Sequence, residues 1–216
     1  MTITCPFPEK LVHEGMSVRL EPLSVEHAED LWSASNSAEA SFTYLRYGPF
    51  PSLEAIRIQI EELAARDQQP FWAVRDRKTD KAIGWLSLCD IYPADAAIEI
   101  GSIWFSPALQ RTRASTEAIF LLMSYGFDKL NYQRFVWRCC SPNVASRNAA
   151  FRIGFRPEGT WRRAVIVRGV AMDIDWFSVM AEEWPKRRSA ILDWLDNNNF
   201  DEEGIAKQSL QRAIHN

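Results

Sequence analysis

Two arginines, Arg111 and Arg113, stand where a helix should begin. They lie in F-S-P-A-L-Q-R-T-R-A-S-T-E, residues 105–117, between an apolar run over residues 97–105 and a helical pattern over residues 114–130. The order predicts a strand, a tight turn and a helix start. A helix N-terminus already carries partial positive charge, so two cations there oppose the dipole. They become favourable when an anion docks on the free N–H groups of the first turn. The segment therefore predicts an anion site, and phosphates are the natural occupant.

The charge distribution agrees. Residues 106–169 hold 11 Lys and Arg against 3 Asp and Glu, a net of +8 in a chain whose total is −3, so the remainder carries −11. A basic block in an acidic chain suggests a local polyanion site more than general nucleic-acid binding.

The elements that must position this loop are legible from periodicity. Residues 16–20 read as a strand, and residues 25–34 as a helix with Ser24 as N-cap. An aromatic stretch, residues 42–50, reads as a loop. Ser52 caps a helix over residues 53–66. Residues 71–75 and 82–89 read as a hairpin around D-R-K-T-D, and residues 97–105 as the next strand. The helix over residues 114–130 keeps apolar spacing through Ala118, Leu121, Leu122 and Tyr125. Residues 134–139 follow as a strand, so strand, helix and strand predict a parallel pair with a right-handed crossover. Ligands bind such units at the carboxyl ends of the strands, where the anion site falls. Asn143 then caps a short helix that Gly154 stops, and strands over residues 155–161 and 173–179 close the domain. From Trp184 an amphipathic tail predicts helices to about Leu195 and from Glu203 to about Ile214.

At 216 residues and 47% hydrophobic composition, the chain can bury a substantial core and is not disordered. No apolar run approaches the ~20 residues of a membrane span. The N-terminus lacks the basic-then-apolar layout of a signal peptide. These readings predict a soluble, cytoplasmic protein. Cys5, Cys89, Cys139 and Cys140 form no C-x-x-C pair, and His13, His27 and His215 are scattered, which predicts buried free thiols and no metal site.

The succession of I-E-I-G on a strand, S-P-x-x-Q, T-E-A on a helix, a strand, then N-x-x-S with G-F closing a short helix resembles the GNAT superfamily of acyl-CoA-dependent N-acetyltransferases. It looks most like the RimJ/RimL-type branch, over about Val18 to Val179. The resemblance implies an α/β (α+β) fold: a mixed, twisted sheet of about seven strands that splits into a V, flanked by helices. It divides the chain into an acetyltransferase domain, residues 1–180, and a C-terminal helical extension, residues 181–216. It implies acetyl-CoA as co-substrate, without a metal. The pantetheine would pair with Ile103, Trp104 and Phe105, and the pyrophosphate would sit on Gln110, Arg111, Thr112, Arg113, Ala114 and Ser115. The family's loop is usually Q-x-x-G-x-G/A. Arg113 stands at a usual glycine position and Arg111 often aligns with glycine, so the arginines are expected to clamp the phosphates by charge.

By the same resemblance, Glu99 is the expected catalytic base, acting through water; the alternative is a carboxylate that holds a substrate cation or pairs with an arginine. Asn143 contacts the pantetheine amides, and Ser146 lies near the sulfur. The tyrosine that many such enzymes use to protonate the thiolate is Phe151 here, which leaves Ser146 or water. Trp85, Trp104 and Trp137 are expected to pack in the core. Phe42, Tyr44, Tyr47 and Phe50 are expected, by the resemblance, to wall the acceptor site; exposed rings there would suit a partly apolar substrate or a partner surface. The expected activity is acetyl transfer to a primary amine, a protein N-terminus or a small molecule, with no nucleic-acid or membrane partner and a homodimer as a possible assembly. A non-catalytic CoA-binding or regulatory module is the alternative, motivated by the absent glycines and Phe151. A nucleic-acid binder ranks third.

Overall fold

The computed structural model describes residues 4–215. In chain order the elements are β1 (His13–Glu14), β2 (Val18–Pro22), α1 (Ala28–Ala34), α2 (Leu53–Ala64), β3 (Phe71–Asp76), β4 (Lys81–Tyr92), β5 (Ala97–Phe105), α3 (Arg113–Ser124), β6 (Arg134–Cys140), α4 (Val144–Ile153), β7 (Arg156–Val167), β8 (Val170–Met180), α5 (Trp184–Leu195) and α6 (Leu210–His215). The strands form one mixed sheet in the order β1-β2-β3-β4-β5-β6-β8-β7. The eighth strand beyond the expected seven is the two-residue β1, which pairs with β2.

Strand alternation sends side chains to two cores. Trp72, Val74, Leu86, Leu88, Ile98 and Ile100 face a core shared with α3, α4, α5 and α6. Phe71, Ala73, Trp85 and Trp104 face a second one under α1 and α2, filled by Leu31, Ile56, Ile60 and Leu63. The three strand tryptophans pack as expected, all nearly inaccessible. All four cysteines are free and buried. Among the described residues no helix is long and apolar enough to cross a membrane.

Local chemistry explains most boundaries. Ser52 Oγ accepts the N–H of Ala55 (3.2 Å) and starts α2. Gly154 ends α4 at φ +99°, and a Cβ there would meet Arg187 Nε at 2.9 Å, so both backbone and packing require glycine. Three expectations need correction. The helix expected over residues 114–130 begins at Arg113 and gives way after Ser124 to a π-helical turn, Tyr125–Lys129. A Cβ on Gly126 in that turn would lie 2.2 Å from the Phe135 ring. The β7–β8 hairpin extends to Val167 and Val170, an extent hidden in the sequence because β7, almost wholly exposed, has no buried alternation. The last helix is only α6. Before it, Phe200 and Ala206 form an isolated bridge, and Asp201 Oδ1 accepts the Ile205 N–H at 2.7 Å, so local turns replace the helix from Glu203.

One buried carboxylate joins helix to sheet. Glu117 of α3 accepts backbone N–H groups from Met16 (2.6 Å), Ser17 (2.6 Å) and Val18 (3.0 Å), the whole approach to β2.

Candidate active site

β5 and β6, the parallel pair, register only over Ala97↔Arg134, Ile98↔Phe135 and Glu99↔Val136. Beyond Glu99, β5 continues against β4 and β6 against β8, so the sheet opens into a V with Glu99 at its apex. A bulge follows at once: Trp85 pairs with Trp104 and Ser87 with Gly101, which leaves one extra residue on β5, with Ser102 at φ +49°. Residues 100–105 thus present a bent strand edge to the V.

Glu99 is 5% exposed. Burial pushes its carboxyl up, the Arg138 guanidinium beside it pulls it down, and the balance is about 7. Arg138 ion-pairs with both Glu99 and Asp90, and its guanidinium lies 4.8 Å from the Trp176 ring centre. A second bulge, between Cys89↔Glu99 and Tyr92↔Ala97, puts Asp90 at φ +41° and aims it at Arg138. Cys89 adjoins Glu99, and burial holds its thiol well above the ordinary range. A carboxyl poised near 7 at the base of a cleft is suited to proton abstraction.

Beside the apex runs a polar network. Gln69 Nε2 donates to Ser87 Oγ (3.0 Å) and Ser102 Oγ (2.8 Å), and Ser87 Oγ donates to Gly101 O (2.9 Å). The Tyr47 hydroxyl donates to Ser102 O (3.3 Å) and accepts from Trp85 Nε1 (3.1 Å). The aromatic loop does wall this region, but its rings are not exposed. Phe42 is buried, stacked on Trp104 at 5.0 Å and edge-on to Phe50 at 5.6 Å. From this loop Tyr44 donates to Pro142 O on the other arm (3.1 Å), and from that arm Arg168 at the β7–β8 turn donates to the carbonyls of Phe42, Tyr47 and Gly48. These contacts join the two arms across the cleft.

The loop expected to receive an anion adopts a tight turn in which Leu109 and Gln110 donate backbone N–H groups to Ser106 O. Arg111 takes φ +61°, the left-handed region that favours glycine, and is exposed. Thr112 is the N-cap of α3, its hydroxyl accepting the Ser115 N–H at 3.2 Å, so the amides of Arg113 and Ala114 remain at the open helix end. Gln110 Nε2 donates to Phe105 O (2.8 Å) and ties the loop to β5. Ile103, Trp104 and Phe105 lie along the bent edge, with Trp104 turned into the second core. Arg113 does not project alone at the helix start. Its guanidinium donates to Asn197 Oδ1 (2.8 Å) and to Leu195 O, in the tail.

On the facing arm, Asn143 Oδ1 caps α4 by accepting the Ser146 N–H (3.1 Å). Ser146 Oγ accepts Trp137 Nε1–H (3.0 Å). Its hydroxyl also hydrogen-bonds the Cys139 sulfur and draws that thiol down, while burial, the larger effect, pushes it to about 11. The serine is therefore engaged with β6. Ser146→Ala should cost about 1–2 kcal/mol by stranding the buried indole N–H, and turnover per folded molecule should stay within a few-fold. Thermal unfolding and initial rates check this, and a loss of turnover far beyond that would make Ser146 the proton donor to the thiolate. Phe151 meets Phe177 edge-on at 5.3 Å.

The basic block is largely consumed within the fold. Arg134 pairs with Glu158, Arg138 with Glu99 and Asp90, Arg147 with Asp175, and Arg156 with Glu183. Sequence reasoning did not find Arg138, Asp90, Trp176, Gln69 or Arg168. Arg138 was within reach of it, since the alternation Arg134, Val136, Arg138 on the strand parallel to Glu99 places it on the same face.

A V-split mixed sheet, an open strand edge, a capped helix start and a buried glutamate at the apex define an acyl-CoA-type transferase fold. The chain belongs to the GNAT acetyltransferase family: the acetyltransferase (GNAT) domain model matches residues 17–156. The crystal structure of a GCN5-related N-acetyltransferase from Brucella melitensis superposes with a TM-score of 0.96 at 40% identity, covering 98% of this chain and 97% of that one. The probable N-acetyltransferase YjcK of Bacillus subtilis is 25% identical over 166 residues, 74% of this chain and 92% of that protein. Microcin C7 self immunity acetyltransferase MccE, solved in complex with acetyl-CoA and AMP, shares the fold at a TM-score of 0.68 and 24% identity, over 77% of this chain and 93% of that one. The protein is thus a transferase of the N-acetyltransferase class.

Proposed function

We propose that this enzyme transfers an acetyl group from acetyl-CoA to a primary amine, on a protein N-terminus or a small molecule, by direct attack within a ternary complex. The observation that carries the proposal is Glu99: a buried carboxyl poised near 7 at the point where the strands part. Acetyl-CoA supplies a thioester, whose carbonyl carbon the amine attacks as the C–S bond breaks and the thiolate leaves. The residues present fit this co-substrate. The edge of Ile103 to Phe105 is open for amide pairing, and the free first-turn amides of Arg113 and Ala114, beside the left-handed Arg111, would receive the phosphates, with Thr112 and Ser115 fixing that turn by capping. Asn143 caps α4 on the facing arm and, by the resemblance, would contact the pantetheine amides.

Glu99 takes the proton of the acceptor ammonium, through water, and so generates the nucleophile. Arg138 holds that carboxylate in place, and Asp90 and Trp176 hold Arg138. Water protonates the departing thiolate, since Phe151 cannot and the Ser146 hydroxyl hydrogen-bonds the Cys139 sulfur. The resemblance to the RimJ/RimL-type branch supports a protein N-terminus as one acceptor class. The division at residues 180 and 181 is part of the same proposal, with the tail as an addition to the transferase domain.

The first test is ligand-dependent melting. Acetyl-CoA at ~100 times its dissociation constant should add about 2.7 kcal/mol, a rise of roughly 5–10 °C for a chain of this size. An amine panel, read by CoA thiol release and product mass, should then give turnover. Binding without turnover on any amine would favour the regulatory module, and no shift at millimolar acetyl-CoA would defeat the proposal.

A further inference from the structure

We infer that the tail segment from Leu195 to Phe200 sets the affinity for acetyl-CoA by holding Arg113, which acts as a positioning residue for the first turn of α3 rather than as a phosphate ligand. This rests on the cofactor reading above. The puzzle it answers is why a cation stands first in a helix whose N-terminus should receive an anion.

The geometry gives that cation a different electrostatic home. Leu195 is the last residue of α5, and its carbonyl accepts from Arg113. A cation unfavourable at the N-terminus of α3 is favourable at the C-terminus of α5, where the dipole is negative. Asn197 Oδ1 accepts a second N–H at 2.8 Å, and the Phe200 ring lies 4.7 Å beneath the guanidinium. Two acceptors and one aromatic face thus occupy a side chain that would otherwise be available to a phosphate.

The segment is itself braced. Trp194 meets Phe200 edge-on at 5.1 Å, and Trp194 Nε1 donates to Gln208 O (2.9 Å). Asp196 Oδ1 accepts the Asn198 N–H at 2.8 Å, and Lys207 N donates to Asn199 O at 2.7 Å. The same tail grips α4: Arg187 Nε donates to Gly154 O (2.8 Å), and Arg152 lies 5.7 Å over Trp194. One segment beyond the matched family domain therefore fixes the start of α3 and the end of α4, the two helices that face the cofactor. Arg111, exposed and left-handed, is the basic side chain placed to reach the phosphates themselves.

The test is calorimetric titration of acetyl-CoA into the full chain, as wild type, Arg113→Ala, Arg113→Lys, Phe200→Ala, Asn197→Ala and Arg113→Ala/Phe200→Ala. Arg113→Ala and Phe200→Ala should each weaken binding roughly tenfold, and the double variant should be no weaker than either, as for two groups in one interaction. Arg113→Lys should not restore affinity, because an ammonium cannot make the fork to Leu195 and Asn197. With a responsive amine, KM for acetyl-CoA should rise while kcat at saturation holds. Wild-type binding in Phe200→Ala and Asn197→Ala, with loss only in Arg113→Ala and recovery in Arg113→Lys, would make Arg113 a direct phosphate ligand and overturn the inference. Should Phe200→Ala fail to fold, the exposed Asn197→Ala decides the same question by its affinity. Failure of the wild type to bind would instead count against the cofactor reading.

Discussion

Glu99→Gln should lower kcat/KM for an amine acceptor by roughly a hundredfold or more, the usual worth of a general base, and should erase the acidic limb of the pH–rate profile. In the wild type that limb should lie near pH 7, where the Glu99 carboxyl titrates. The sign follows from its role: only the ionised carboxylate accepts a proton, so activity rises with pH through that point. Burial displaces the group upward most, and Arg138 is the cation opposing that displacement. Arg138→Gln should therefore move the limb to higher pH while leaving a working base, a result that a merely structural arginine would not give. The acceptor's own ammonium adds a second limb that changes from amine to amine. Glu99→Gln distinguishes the two, because its effect near pH 7 is independent of the acceptor.

The same titration provides a check on folding. A carboxyl raised above its unfolded value binds a proton in the folded state that the unfolded chain has already lost. Its contribution to stability is full below the unfolded value and fades as pH rises through about 7. Above pH 7 the charged, buried Glu99 opposes folding, so Glu99→Gln should melt no lower than wild type at pH 8. An inactive variant that melts normally there isolates the chemistry from stability.

The readable part of this site consists of local signals. Asn143, Ser146 and Gly154 cap α4 through contacts three or four residues apart, and Thr112 caps α3 in the same way. Such contacts depend on neighbouring residues alone, so the sequence exposes them. Glu99 was singled out for a different reason, through the family resemblance of its strand, and the structure places it buried on that strand. What escaped depends on distant pairing. Arg138 meets Glu99 only because β5 and β6 register in parallel for three residues before they part. Arg168 reaches the loop near Gly48 only because the exposed β7–β8 hairpin extends farther than its pattern shows. Arg113 is an anomaly whose partners in the structure lie far along the chain. The oddity of a cation at a helix start is local, but the α5 terminus that accommodates it lies some eighty residues on, and no periodicity links the two.

Glu117 carries the second large effect, on stability rather than catalysis. It sits in the T-E-A motif at the start of α3, close in sequence to the Gln110–Arg113 loop, a position that invites a catalytic reading. Its two oxygens instead receive three backbone N–H groups, from Met16, Ser17 and Val18, in a buried setting. Gly15 completes the fit, since a Cβ there would lie 2.7 Å from the Glu117 carboxyl carbon. Removing the carboxylate strands those donors, and each unmet buried donor costs about 1–3 kcal/mol. Glu117→Ala should therefore lose roughly 3–5 kcal/mol, one of the larger single-site losses expected in a domain, and lower the melting temperature by roughly 6–20 °C at this chain length. Glu117→Gln should fall between, because the amide keeps one acceptor oxygen and presents hydrogens to an N–H. Active-site titration below the melting range should show normal turnover per folded molecule. A folded Glu117→Gln with kcat reduced a hundredfold would give this carboxylate a part in the chemistry. The expected result confines it to anchoring β2 onto α3, the helix whose first turn holds the anion loop and whose position that loop inherits.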